Sequence, residues 1–368
     1  MTSFTLRLLL TTILLMLIKP HDATAENPQS VLNIYNWADY VGENTLANFE
    51  TEFGIKVNYD TYDNSQIVDA KLMAGNTGYD VIFHGASNSA QLIPIGIFLP
   101  LDKKLLPNWE NLDPELLNNF AEFGPGNLYG FPYMWGTTGF SYNYDMLFER
   151  MPNAPFNSAE LVFDPAVVAR FADCGVTLLD SASEVLGMVL VYLGYDANSI
   201  EPTQLKQAET LLRKIRPYIK YFGSSKLLID LPSQEVCIAQ SWSGDYAVAN
   251  RRADDAGIEI DLRFNIPMEG SLAWFDVAFI PADATNVSNA HIFLNYLMRP
   301  EVIAEITNNT GYANVNQTAT HLVDSAISSD PAIYPDKAIL NRLSTTKVLH
   351  PKLQRLKSRT WTRIKSGL

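Results

Sequence analysis

The feature that most narrows the fold is a repeated switch between strand and helix period. From Val31 to Tyr35 the chain reads as a short buried strand. Glu43 to Phe53 then places Leu46, Phe49 and Phe53 on one helical face, which Gly54 ends. Alternation at Ile55, Val57 and Tyr59 predicts a second strand, Ile67 to Met73 a second helix, and Asp80 to Phe83 a third strand entered from Gly75-Asn76-Thr77-Gly78. Such β-α-β-α-β alternation builds a parallel sheet covered by helices, an α/β class, and its ligands collect at the carboxyl ends of the strands. The loops after Tyr35 and Phe83 are therefore the first places to look for a site.

From Tyr129 to Asn143 the helical period disappears, and an extended, aromatic, Gly- and Thr-rich stretch follows the breaker Gly124-Pro125-Gly126. It reads as a crossing into a second lobe that repeats the plan. That lobe has strands at Val176–Leu179 and Val236–Ala239 and helices at Glu184–Leu193, Thr203–Ile215 and Asp245–Ala253. Two more strand-like runs, Ile258–Ile266 and Ala273–Ile280, precede a helix around Ala290–Leu297, and Pro300 starts another. The chain is expected to cross back near Pro267. At 368 residues it is long enough for two lobes, and no Gly/Ser-rich linker separates them. The expected division is 1–25 as a leader, 26–135 with 267–325 as lobe one, and 136–266 with 326–368 as lobe two. Short crossings between lobes create a cleft and a hinge.

The leader reading rests on Arg7, the apolar run Leu8 to Ile18 and the small triplet Ala23-Thr24-Ala25, the order of a cleaved secretory signal. The run is shorter than the ~20 residues that span a bilayer. With cysteines only at Cys174 and Cys237, no lipid-anchor cysteine follows the leader, so a soluble periplasmic protein is expected. In that oxidising compartment the two cysteines can pair, although sequence does not show that they are close enough. The net charge of -13 argues against nucleic acid and favours cationic partners, but solubility alone also explains it.

Three of the six tryptophans stand two or three residues before an aspartate: Trp37-Ala38-Asp39, Trp242-Ser243-Gly244-Asp245 and Trp274-Phe275-Asp276. Each falls at or beside a predicted strand, and in the third the period of two puts indole and carboxylate on one face. Taken singly, such motifs are ordinary: tryptophans fill cores, and Asp245 ahead of a helix suits an N-cap. Converging on one cleft, they supply what an organic cation requires, aromatic faces and carboxylates. A diamine needs acids at both ends, because a buried ammonium without a partner is strongly unfavourable. Glu184 is a further candidate, or equally an acid placed in a first helical turn for the helix dipole.

Other chemistries find little support. The histidines beyond the leader, His84, His291, His321 and His350, are scattered, with no metal-binding His-Glu-x-x-His, and no Gly-x-Ser-x-Gly nucleophile elbow occurs. The Gly124–Gly130 run has the wrong spacing and the wrong order of elements for a nucleotide loop. No cofactor or metal is expected.

The residues resemble the periplasmic polyamine-binding proteins, especially the putrescine-binding branch, over nearly the whole mature chain. The stretches that carry the resemblance are Leu32–Tyr40, Gly78–Phe83, Tyr129–Tyr144, Cys174–Asp180, Trp242–Asp245, Trp274–Pro281 and Phe293–Pro300. The resemblance implies a two-lobed type II periplasmic-binding fold with a hinged cleft, and a monomer that hands putrescine, spermidine or another polyamine to an inner-membrane ABC permease without covalent chemistry. Pocket positions matched are Trp37, Asp39, Tyr40, Ser87, Glu184, Trp242, Asp245, Asp276 and Tyr312. It also implies a Cys174–Cys237 disulfide. Ala38 and Gly85 stand where close putrescine-binding relatives carry serine, and Trp274 where they tend to carry phenylalanine, which leaves the preferred polyamine open. Asp39 and Asp276 are expected to hold one ammonium, Asp245 and Glu184 the other, with Trp37, Trp242, Trp274, Tyr40 and Tyr312 on the methylenes. Two other roles fit the same residues: a polyamine sensor signalling to a membrane receptor, and a carboxylate-pair hydrolase.

Overall fold

The computed structural model describes residues 30–38, 40–62, 65–121, 123–124, 127–347 and 351–367; the expected leader and Asp39 lie outside the described residues. Among the described residues one sheet contains β1 (Val31–Trp37), β2 (Lys56–Tyr62), β3 (Val81–Gly85), β4 (Gly130–Asn143), β5 (Val176–Leu178), β6 (Ile219–Phe222), β7 (Ile238–Trp242), β8 (Leu262–Asn265), β9 (Ser271–Phe279), β10 (Ala313–Asn314) and β11 (Leu343–Thr345). The order is β2-β1-β3-β9-β4-β7-β5-β6, with β8 and β10 also on β4 and β11 on β9.

The flanks are the expected parallel units: β1 pairs with β2 and β3, and β5 with β6 and β7, all parallel. The middle differs. β9 runs antiparallel to β3 and β4, and β4 antiparallel to β7. These two strands carry the chain from one half to the other, so they need no helical crossover and can oppose their neighbours. All of β4 is buried, which explains its lack of polar alternation.

Two hydrophobic clusters result. The first runs from Leu32 to Trp135 and from Phe275 to Ile333; the second from Phe140 to Leu272 and includes Trp361 and Ile364. The chain passes from the second cluster back to the first between Leu272 and Phe275, inside β9. Around Pro267 the chain only turns, with Gly270 N–H donating to the Pro267 carbonyl, and Leu272 still packs on the second half against Gly187. A third passage follows Ile333, which is buried with the first cluster.

Local signals behave as their chemistry requires. Gly54 takes φ 65° and its N–H bonds the Glu50 carbonyl, closing the helix Thr45–Phe53. The helix Pro300–Thr310 begins on its proline and ends at Gly311, φ 75°. Cys174 and Cys237 form a disulfide with Cα atoms 5.5 Å apart, tying together the entries to β5 and β7. Among the described residues no helix is long and apolar enough to cross a membrane.

Candidate functional site

Asp276 and Trp274 point to the same side of β9 in the middle of the sheet. Asp276 stands opposite Gly85 of β3 and Met134 of β4, and Trp274 opposite Gly136 of β4. A Cβ at Gly136 would lie 2.5 Å from Trp274 Cζ2, so only glycine lets the indole lie across β4. Trp37 ends β1 in register with Tyr62 at the end of β2, their rings 4.4 Å apart. Tyr40, in the loop after β1, is fixed through its carbonyl by the Tyr133 hydroxyl at 2.8 Å. These groups gather at the carboxyl ends of parallel strands, as the topology requires.

The second half supplies Trp242, the last residue of β7, in register with Thr138 of β4. Asp245 follows in the first turn of the helix Ser243–Asp255. The N-cap position belongs to Trp242, so Asp245 does not cap the helix. Its Oδ1 instead accepts from the Tyr312 hydroxyl at 2.7 Å. Gly244 permits this, since a Cβ there would come 2.4 Å from the Tyr312 ring. Glu184 lies in the first turn of the helix Ala182–Tyr192, whose N-cap Ser181 accepts from the Glu184 N–H. Its carboxylate turns away from the helix end and accepts from the Thr138 hydroxyl. Tyr312 joins the two sides: while its hydroxyl holds Asp245, its ring stands edge-on to Trp274 at 5.2 Å and to Tyr40 at 5.5 Å.

The electrostatics set these acids apart from other buried acids. Burial pushes the Asp276 carboxyl up to about 6, against the pull of the Tyr40 hydroxyl, His84 and the Trp37 indole. Burial likewise raises Asp245 to about 7 against the Tyr312 hydrogen bond, and Glu184 to about 7 against the Thr138 hydrogen bond. No lysine or arginine forms an ion pair with any of the three among the described residues. Asp245 Oδ2, Tyr40 Oη, Trp37 Nε1 and Trp274 Nε1 are buried without a hydrogen bond of good geometry. Structural acids look different. Glu209 is held by Arg363 and Arg213 and falls to about 2, while Asp80 accepts from the backbone N–H groups of Asn33, Thr285 and Asn286. A carboxylate buried without an ion-pair partner is disfavoured as an anion, so positive charge brought beside these acids would stabilise their ionised form.

The model of the family of bacterial extracellular solute-binding proteins matches residues 44–335. The chain belongs to that family. It is 45% identical over 341 residues to the putrescine-binding periplasmic protein PotF of Escherichia coli K12, covering 92% of each chain, and 45% identical over 338 residues to the putrescine-binding periplasmic protein SpuD of Pseudomonas aeruginosa UCBPP-PA14, again 92% of each. Among solved structures, a putative spermidine/putrescine ABC transporter protein from Listeria monocytogenes superposes with a TM-score of 0.82 at 32% identity, over 91% of this chain and 99% of that one. PotD of Streptococcus pneumoniae, a spermidine/putrescine substrate-binding protein, gives 0.78 at 30%, over 92% and 99%. The fold is the α/β fold of type II periplasmic binding proteins.

In this solute-binding protein, Trp37, Tyr40, Trp274, Asp276, Tyr312 and Asp245 form one connected group; the Trp242 backbone adjoins it at Asp245, and Glu184 is bound to Thr138, which stands in register with Trp242. Ser87 lies in the helix Ala86–Leu92 beside Gly85, and its hydroxyl reaches Asn88 Oδ1 at 3.5 Å. Sequence reasoning missed Thr138, which orients Glu184; Tyr62, which backs Trp37; and Tyr133, which fixes Tyr40. Gly136, a glycine inside a central strand, signals the close approach of Trp274 and points to none of these three. A separate cavity of about 520 Å³ lies by the opposite face of β9, lined by Trp135, Phe275, Tyr334, Asp113 and Glu115 among others; none of the expected site residues lines it.

Proposed function

We propose that this protein captures putrescine or a related polyamine such as spermidine and delivers it to an inner-membrane ABC permease. The observation that carries this reading is the set of carboxylates, Asp245 and Glu184 buried and Asp276 half-buried, that lie near tryptophan and tyrosine side chains and, among the described residues, form no ion pair with lysine or arginine. An ammonium over an indole face gains roughly 0.5–2 kcal/mol, and its hydrogen bond to a carboxylate about 1.5–3 kcal/mol more. Asp276, with Asp39, takes one ammonium; Asp245 and Glu184 take the other. Trp37, Trp242, Trp274, Tyr40 and Tyr312 cover the methylenes. Relatives of 45% identity named for putrescine binding support the ligand class, and Trp274 narrows the space along the chain.

The two hydrophobic clusters act as lobes. Only the closed arrangement offers groups of both to one diamine, so the ligand shifts the lobes toward closure and the permease reads the closed form. The protein works as a monomer and performs no covalent chemistry. Residues 1–25 are removed on export, which leaves it in the periplasm.

The test is calorimetry of the refolded, ligand-free protein against putrescine, cadaverine, agmatine, spermidine and spermine, with glycine betaine as control. Wild type is expected to bind putrescine or spermidine tightly. Asp276→Ala and Asp245→Ala each lose about a hundredfold or more in affinity, as follows when a buried charge loses its partner, with thermal unfolding still cooperative. Unchanged affinity in both variants, or no amine binding by wild type, overturns the reading.

A further inference from the structure

Gly85 faces Asp276 across the β3–β9 pairing and has no side chain of its own. A Cβ there would lie 3.8 Å from Asp276 Oδ1 and 3.7 Å from Asn88 Oδ1. The carboxamide oxygen of Asn88 and the carboxylate of Asp276 thus flank the same small space, which Gly85 leaves open toward the cleft.

The orientation of Asn88 is not arbitrary. Its Nδ2 donates to Asp69 Oδ2 at 3.3 Å, and Asp69 Oδ1 is bound by His84 Nε2 at 2.8 Å. A carboxylate only accepts, so the amide nitrogen must face Asp69 and the oxygen must face Gly85. His84 is fully buried and anchors Asp69 from the core. A relay from His84 through Asp69 therefore holds one neutral acceptor beside the acid.

We propose that Asn88 Oδ1, held by Asp69 and His84 and uncovered by Gly85, accepts an N–H from the ligand's amine head beside Asp276, and so selects heads that carry several N–H donors over N-alkylated ones. This rests on the polyamine reading. An unsubstituted ammonium has three donors and satisfies the carboxylate and the carboxamide together; a tertiary ammonium has one and must leave an acceptor unpaired. Asn88 contributes selectivity, and Asp69 and His84 are positioning residues.

Calorimetry with putrescine and N,N,N′,N′-tetramethylputrescine tests this on wild type, Asn88→Leu and Asp69→Asn. Asn88→Leu keeps the shape and removes the acceptor. It should weaken putrescine about tenfold, the order expected for one hydrogen bond to a charged group, and the tetramethyl compound less than about twofold. Asp69→Asn frees the carboxamide to turn and should lower the preference in the same direction by a smaller factor. Equal loss for both ligands in Asn88→Leu would mean a structural role only, and no loss for either would mean no contact; both overturn the proposal and leave the polyamine reading standing. If wild type binds neither amine, both readings fall. Should Asn88→Leu fail to fold, Gly85→Val asks the same question, since the extended backbone at Gly85 tolerates valine and the added methyls fill the space; an unchanged putrescine affinity there overturns the proposal as well.

Discussion

Asp276, Asp245 and Glu184 make binding and stability depend on pH in opposite directions. Each has a carboxyl raised by burial, to about 6, 7 and 7, above the roughly 4 of an unfolded chain. A raised acid favours the folded state fully below its unfolded value, and that contribution disappears as pH rises through the folded value. Ligand-free protein should therefore melt at higher temperature as pH falls from 8 to about 5. Below that the trend reverses, because Glu209, held down to about 2 by Arg363 and Arg213, loses its stabilising contribution on protonation. An ammonium needs the ionised acids, so putrescine affinity should fall over the same 8 to 5 range, and binding near pH 6–7 should release protons. Titrations in buffers of different ionisation enthalpy measure that release, and its absence would place the amine away from these acids. The Trp-Asp pairs are legible in sequence because spacing alone puts Trp274 and Asp276 on one face. Asn88 and Thr138 are not legible, because their roles depend on which residues cross-strand register and helix packing bring beside them.

At the level of elements, strand and helix periods locate the pieces of the fold, and the departures have physical causes. β9 was legible as a strand from its apolar run; its direction was not, because alternation reports burial and says nothing of the partner's sense. Likewise β4 reads as extended, while its place between β9 and β7 depends on long-range pairing. The disulfide illustrates the same limit: sequence shows two cysteines, and only the fold brings the entries to β5 and β7 together. The bridge closes a loop across a sequence separation of 63, for which the chain-entropy relation gives about 4 kcal/mol. Reduction by dithiothreitol should lower the guanidinium unfolding free energy by that order. Ligand affinity should change little, because the bridge lies at the start of β7 and the site at its end. A large loss of affinity on reduction would instead mean that β5 and β7 shift relative to β4.

For the whole molecule, the decisive feature is that β4 and β9 cross side by side between the two clusters, with a third passage after Ile333. Paired strands bend more easily than they separate, so they suit a hinge. Opening must still break contacts in front of it. Arg251, on the helix Ser243–Asp255, donates to the Asn308 carbonyl at 3.1 Å and to that of Asn309, at the end of the helix Pro300–Thr310. The first helix packs mainly with the second cluster through Ala249, the other with the first through Ile303 and Ile306. The guanidinium also meets the carbonyl end of a helix dipole, a favourable place for a cation. Arg251→Ala removes this clasp without touching the acids of the cleft. If the helices part on opening, the variant populates the open form more. Its ligand-free radius of gyration in small-angle scattering should then exceed that of wild type, saturating putrescine should erase the difference, and affinity should fall several-fold as the competent population shrinks. Identical scattering and affinity would show that the two helices move together as part of the hinge, with the contacts opposing opening confined to Asp245, Tyr312 and the ligand itself.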